Sequence, residues 1–215
     1  MDDTLIDTTG SVRPVVLQNA LAEMQRVLPS LSFLDRSFKQ LELLDRYYLN
    51  STEAFEEFLA IHGIEEISWY QMGIELIKKG YLTSRVRLAK GVLPLLNDFA
   101  KTHFLALVTR GEKKWQLEKI KRSGLPLDLF RFCRFCLNES KKNSYSNLIE
   151  MLHITPSEVI VCGDRIDFDL APAKALGCKT VHIRQGRGLG NTGLKSDVDY
   201  TILHLDELKN IMKIL

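Results

Sequence analysis

The chain has 215 residues, of which 45% are hydrophobic and 26% charged, with a formal net charge of +2. That length supports one large domain or two small ones with a real core, and the composition is that of a globular chain rather than a disordered one. Acids and bases are interspersed, which argues against a dedicated nucleic-acid surface, and no apolar run approaches the ~20 residues needed to span a bilayer.

The opening, MDDTLIDTTG, is acidic where a secretory signal would be basic, so no leader is expected and the cytoplasm is the expected location. Residues 1–9 read as an acidic loop. From about Val12 to Leu88 the pattern is helical. VVLQNALAEMQRVL carries apolar residues at helical spacing and stops at Pro29. RSFKQLELLDRYYL follows, and Asn50 offers a cap ahead of EAFEEFLAIHGI. SWYQMGIELIKKGY is a further helix ending near Gly80. With no period-two stretch in this span, residues 10–88 are expected to form an all-helical unit.

After Leu88 the pattern changes. GVLPLLNDFAK reads as a helix, and FLALVT is a continuous apolar run breaking at Thr109-Arg110-Gly111, as a buried strand does. EKKWQLEKIKRSGL is an amphipathic helix ending at Gly124. FRFCRFCL is a short strand, SYSNLIEMLHI a helix, and EVIVCGD a buried strand breaking at Gly163-Asp164. DLAPAKALGC is a helix with Gly177 at its end. KTVHI and DYTIL are strands, and LDELKNIMKIL is a closing helix. Strands alternating with helices predict right-handed crossovers and a parallel, Rossmann-like α/β sheet formed by 1–9 and 89–215, with the helical unit inserted. Ligands bind such sheets at the carboxyl ends of the strands.

The chemistry-bearing residues fall at those ends. Asp2, Asp3, Asp164, Asp167 and Asp169 are hard oxygen donors suited to magnesium. Thr109 offers a hydroxyl. Arg110 and Gly111 follow with backbone N–H groups at an expected helix start, an arrangement that suits an anion. Lys141 and Lys142 stand before a helix and supply positive charge. Carboxylates, a cation and anion-binding donors are the parts for phosphoryl transfer. The four cysteines, Cys133, Cys136, Cys162 and Cys178, lack the partners of a zinc site and read as ordinary thiols. RQGRGLGNTGLKS is no dinucleotide fingerprint, because no helix begins within it. It reads as a mobile loop at the rim of the site.

MDDTL, LALVTRG, KKNSY and VIVCGDRIDFDL, in that order, resemble the four motifs of the haloacid dehalogenase (HAD) superfamily. The helical span matches in position the helical, C1-type cap that this family inserts after its first motif. The resemblance implies a phosphatase-like hydrolase using Mg2+ and a small phosphorylated metabolite, with no nucleic acid or membrane partner. The family's first motif is Asp-x-Asp-x-Thr. Thr4 matches its threonine and Asp2 its second aspartate, so the nucleophilic aspartate would stand immediately before Met1. The central strand leading into it is absent as well.

By the same resemblance, the nucleophile forms an aspartyl-phosphate. Asp2 acts as acid and base and lends its carbonyl to the metal. Thr109, with Arg110 and Gly111, holds the substrate phosphate. Lys141 or Lys142 neutralises charge, and the compressed spacing around KKNSY leaves both open. Asp164 binds magnesium and Asp169 supports it. Dehalogenating members lack an aspartate at the place of Asp2, which favours a phosphatase. The alternative is a catalytically silent relative that binds ligand without turnover, motivated by the missing nucleophile. Removing a central strand leaves backbone groups unpaired at ~1–3 kcal/mol each, against a total stability of ~5–15 kcal/mol. The expectation is therefore that the native product starts upstream of Met1.

Overall fold

The computed structural model describes residues 1–28, 31, 37–48, 50–137, 139–190 and 193–214. The chain divides into two compact units, Thr8–Arg85 and the pair of segments Met1–Asp7 and Val86–Leu215. No helix among the described residues is long and apolar enough to cross a membrane.

The first unit is helical: α1 (Thr8–Ser11), α2 (Arg13–Val27), α3 (Ser37–Tyr47), α4 (Ser51–Ile61) and α5 (Ile67–Thr83). Pro14 opens α2, where its missing N–H costs nothing. Val16, Leu17, Ala20, Leu21 and Met24 form its buried stripe. Pro29, where α2 was expected to stop, lies outside the described residues. Asn50 caps α4 by accepting the Glu53 N–H at 2.9 Å. α5 runs to Thr83, past Gly80, where an added Cβ would lie 3.0 Å from Val16 of α2. Arg13 and Asp45 form a buried ion pair at 3.2 Å.

Gly73 lets α5 approach α4 closely, since a Cβ there would sit 2.7 Å from the Phe55 ring. Gly73→Ala therefore trades a helix-propensity gain of up to ~1 kcal/mol for overpacking that costs ~1–3 kcal/mol. The expected result in urea unfolding is a net loss of about 1 kcal/mol. A gain in stability would show that Phe55 has room to move.

The second unit is α/β, with α6 (Val92–Phe99), β1 (Ala106–Arg110), α7 (Lys113–Ser123), β2 (Phe132–Cys136), α8 (Lys141–Leu152), β3 (Ile160–Gly163), α9 (Ala171–Lys174), β4 (Lys179–Ile183), β5 (Tyr200–Ile202) and α10 (Leu208–Ile211). All strand pairings are parallel, as the alternating pattern predicts. The helix expected over DLAPAKALGC is in two pieces, a π-type turn at Ile166–Leu170 and then the single turn of α9. Pro172 is the second residue of the second piece, and its missing N–H cannot extend the preceding ladder.

The strands form two ladders, β1-β2 and β3-β4-β5. Both belong to one layer, because Val108 of β1 and Val161 of β3 pack on the same cluster of Tyr145, Ile149, Ala173 and Cys178. β4 is buried along Thr180–Ile183, whereas Ala106, Val108, Ile160, Val161 and Cys162 are only half-buried. The interruption thus falls between β1 and β3. In a covered parallel sheet these would be interior strands buried on both faces. Near it, among the described residues, the chain contributes the isolated bridges Asp2 with Ile6 and Ile6 with Leu88.

Candidate active site

The MDDTL segment is a tight turn. The Met1 carbonyl accepts the N–H groups of Leu5 at 2.8 Å and Ile6 at 3.0 Å. Asp3 sits at a φ of 50°, a conformation that aspartate tolerates better than most side chains. The turn is tied to the end of β3. The Thr4 hydroxyl donates to Asp164 Oδ1 at 3.0 Å and lies 3.4 Å from the Asp2 carbonyl. Two hard oxygens, the Asp164 carboxylate and the Asp2 carbonyl, therefore gather around one hydroxyl. The Asp2 carboxylate pairs with Lys119 of α7 at 2.5 Å, which links the turn to the β1 side as well.

The end of β3 is a buried acidic cluster. Asp164 and Asp169 are both buried. Burial, reinforced by the Asp169 charge, pushes the Asp164 carboxyl up to about 7. Burial acts the same way on Asp169, but the Lys141 ammonium outweighs it and holds that carboxyl below its ordinary value. Lys141 Nζ donates to Asp169 Oδ1 at 2.5 Å, and the Arg165 N–H donates to Oδ2 at 3.2 Å. A Cβ on Gly163 would lie 2.5 Å from Asp169 Oδ2, so only glycine leaves room for that carboxylate. His182 Nε2 lies 3.1 Å from the Asp164 carbonyl. Desolvation lowers the pKa of that imidazole, and a bond to the carbonyl places a proton on Nε2. The Tyr145 hydroxyl donates to the Asp169 carbonyl at 3.3 Å, and burial pushes its phenol well up.

The two lysines separate. Ser140 caps α8 by accepting the Lys142 N–H at 3.2 Å, which points Lys141 inward to Asp169 and leaves Lys142 exposed. The charge on the buried acids thus comes from Lys141, and Lys142 stands outside the cluster. Asp169 differs from a direct metal ligand in that both its oxygens are engaged by Lys141 and the Arg165 N–H. Asp167 is exposed.

At the end of β1, Thr109 is buried. The expectation that Gly111 offers an accessible N–H is corrected, because that N–H donates to the Cys136 carbonyl at 2.7 Å. The β1-β2 pairing simply runs one residue further. Gly111, at a φ of 127°, is also crowded by Gln116, whose side-chain amide donates to the Arg110 carbonyl. α7 begins at Lys113, so Arg110 and Gly111 do not form its start. Arg110 instead reaches across to the 166–170 turn, its Cζ 4.9 Å from the Phe168 ring centroid.

Of the glycine-rich segment expected as a mobile loop at the rim, residues 185–188 pack against the first-motif turn, 189–190 and 193–196 are exposed, and Asn191 and Thr192 lie outside the described residues. Arg187 and Gly188 are buried. The Arg187 N–H donates to Asp3 Oδ2 at 3.2 Å, and Gln185 Nε2 donates to the Thr4 carbonyl at 3.2 Å. A Cβ on Gly188 would lie 2.4 Å from the Ile183 carbonyl. Lys119, Gln185 and His182 escaped the sequence reading. Lys119 is one of several lysines on an amphipathic helix and carries no local signal, while Gln185 and His182 do follow a strand pattern at its carboxyl end.

Asp2, Thr4, Lys141, Asp164 and Asp169 are thus joined by short contacts at the carboxyl ends of parallel strands. A family model for haloacid dehalogenase-like hydrolases matches residues 1–183. The chain is similar to the glyceraldehyde 3-phosphate phosphatase of Pyrococcus furiosus, 26% identical over 219 residues, covering 99% of this chain and 90% of the relative. Among solved structures it resembles a predicted phosphoglycolate phosphatase from Haemophilus somnus, with a TM-score of 0.75 at 17% identity, over 99% of this chain and 95% of that one. It also resembles a Bacillus subtilis HAD-hydrolase solved with bound magnesium, with a TM-score of 0.70 at 17% identity, over 99% and 96%. The chain belongs to the haloacid dehalogenase-like hydrolase family.

Proposed function

We propose that this protein is a magnesium-dependent phosphomonoesterase of a small phosphorylated metabolite, with the nucleophilic aspartate immediately before Met1. The observation that carries this reading is the contact chain Lys119–Asp2, Thr4–Asp164 and Lys141–Asp169 at the strand ends. The phosphatase relatives support it over a silent binding protein.

The donor set suits magnesium. Among the described residues no group of three or more His, Cys, Asp or Glu side chains converges as a ligand set. The chain supplies one carboxylate, Asp164, and one carbonyl, Asp2, around the Thr4 hydroxyl, and magnesium is commonly held by one or two carboxylates with water and substrate phosphate. A cation there would also relieve the burial that raises Asp164. When bound, the ion neutralises phosphate charge and aligns it for in-line attack.

In this reading the aspartate before Met1 attacks phosphorus and forms an aspartyl-phosphate. Asp2 protonates the leaving oxygen and then takes a proton from water, held in place meanwhile by Lys119. Thr109 binds a phosphate oxygen. Lys141, fixed by Asp169, offsets the negative charge of carboxylate and phosphate. The helical unit, inserted directly after the first motif, is the cap of the family.

Phosphate release by the full-length protein from a panel of phosphomonoesters that includes glyceraldehyde 3-phosphate tests this. Release with MgCl2 that EDTA abolishes is the expected result. No release from any ester with MgCl2 present overturns it.

A further inference from the structure

Two guanidinium groups meet on one aromatic ring beside the reacting centre. Arg110 directly follows Thr109 at the end of β1, and Arg165 directly follows Asp164 at the end of β3. Their Cζ atoms lie 4.9 Å and 5.2 Å from the Phe168 centroid. The two charges are therefore separated by no more than the sum of those distances. Among the described residues neither side chain forms an ion pair with a carboxylate, although Lys101, Lys119, Arg134, Lys141, Lys174 and Lys209 of this unit do. Arg165 Nε is buried and has no hydrogen-bond partner.

The cation–π contacts hold both guanidinium groups at the Phe168 ring without using an N–H donor of either. Like charges held close together, with one buried donor unsatisfied, favour an anion that engages both. The reacting phosphate already has Thr109, Lys141 and the metal. We propose that Arg110 and Arg165 form a second anion subsite, so that the preferred substrate is a phosphomonoester carrying another anionic group a few bonds from the phosphate. This rests on the phosphomonoesterase reading for where the reacting phosphate lies. It departs from glyceraldehyde 3-phosphate, named for the P. furiosus relative, whose far end is a neutral aldehyde.

Calorimetric binding in MgCl2 to the full-length protein, with asparagine in place of the aspartate before Met1, tests the subsite without requiring turnover. The ligands are phosphoglycolate, ethylene glycol bisphosphate and the neutral-ended ethyl phosphate. Both ligands with a second anionic group are expected to bind about 10- to 100-fold more tightly than ethyl phosphate, the worth of a charge-assisted bidentate contact. A preference for one of the two assigns the second group as carboxylate or phosphate. Arg165→Gln and Arg110→Gln should each shrink that ratio about 10-fold, with Arg165→Lys intermediate, and circular dichroism melts check that each variant is folded. Equal binding of all three ligands, no binding of any, or a ratio unchanged in both glutamine variants overturns the subsite. Selective binding with no phosphate release by the full-length protein keeps the subsite and sinks the phosphatase reading.

Discussion

Lys141→Met destabilises the α/β unit by about 3–5 kcal/mol, the cost of stranding one member of a buried ion pair. Lys141 and Asp169 are both buried and 2.5 Å apart. Methionine approximates the apolar stem of lysine and removes the ammonium, with its charge and its N–H donors. Asp169 would then keep the Arg165 N–H alone, in an environment that already disfavours its ionised form. In a chain of this size the loss corresponds to a melting shift of about 10 °C. Lys141→Met/Asp169→Asn should recover most of it, because a neutral pair leaves no stranded charge. Urea unfolding of the three proteins measures both effects. A single-variant loss below about 1 kcal/mol, or a double variant no better than the single, would show that the pair does not hold the cluster together. Lys142→Met, outside the cluster, should change stability by less than about 0.5 kcal/mol.

Asp164→Asn acts in the opposite direction when no divalent cation is present. The unfolded chain releases this proton near ~4, whereas burial and Asp169 hold it in the folded chain up to about 7. Between those values the folded state binds more protons, so stability falls as pH rises from about 4 through about 7 and is level above that. The full fall is about 3–4 kcal/mol at most. Asparagine can still accept the Thr4 hydroxyl and cannot ionise. In EDTA the variant should therefore melt several degrees above the parent at pH 8 and match it near pH 4. MgCl2 should raise the melting temperature of the parent at pH 8 and leave the variant unmoved. A parent–variant difference in EDTA that does not grow between pH 5 and pH 8 would contradict the buried, unrelieved state of Asp164.

Strand ends were legible in the sequence because each is a short apolar run cut off by a turn-forming residue. FLALVT stops at Thr109-Arg110-Gly111 and EVIVCGD at Gly163-Asp164, and in both cases the chain does turn there. The motif residues followed from their place at those ends. What stayed hidden depends on distances through space. Lys119 meets Asp2 across 117 positions of sequence, and nothing in its helix distinguishes it from its neighbours. Lys141 and Lys142 are adjacent, and the serine cap that starts α8 decides which one turns inward. Gly111 looked like an anion donor because a strand break was read at Arg110, but the β1-β2 ladder reaches one residue beyond it. The packed glycine segment was missed for a related reason. Glycines signal permissive backbone, and at Gly186 and Gly188 that freedom serves close approach to the Asp3 side chain and to the Ile183 and Asp164 carbonyls.

The interruption between β1 and β3 and the register of MDDTL point to the same place. On the proposed reading the family's nucleophile strand would fill that interruption, with Asp2, the proposed acid and base, at its end. The most direct test is phosphate release in MgCl2 by three proteins: the 215-residue chain, the chain preceded by an apolar strand ending in aspartate directly before Met1, and the same extension ending in asparagine. The account predicts turnover and an acid-stable, hydroxylamine-labile phosphoprotein only for the aspartate extension, with the other two silent. Comparable turnover by the aspartate and asparagine extensions, or by the 215-residue chain alone, would contradict it.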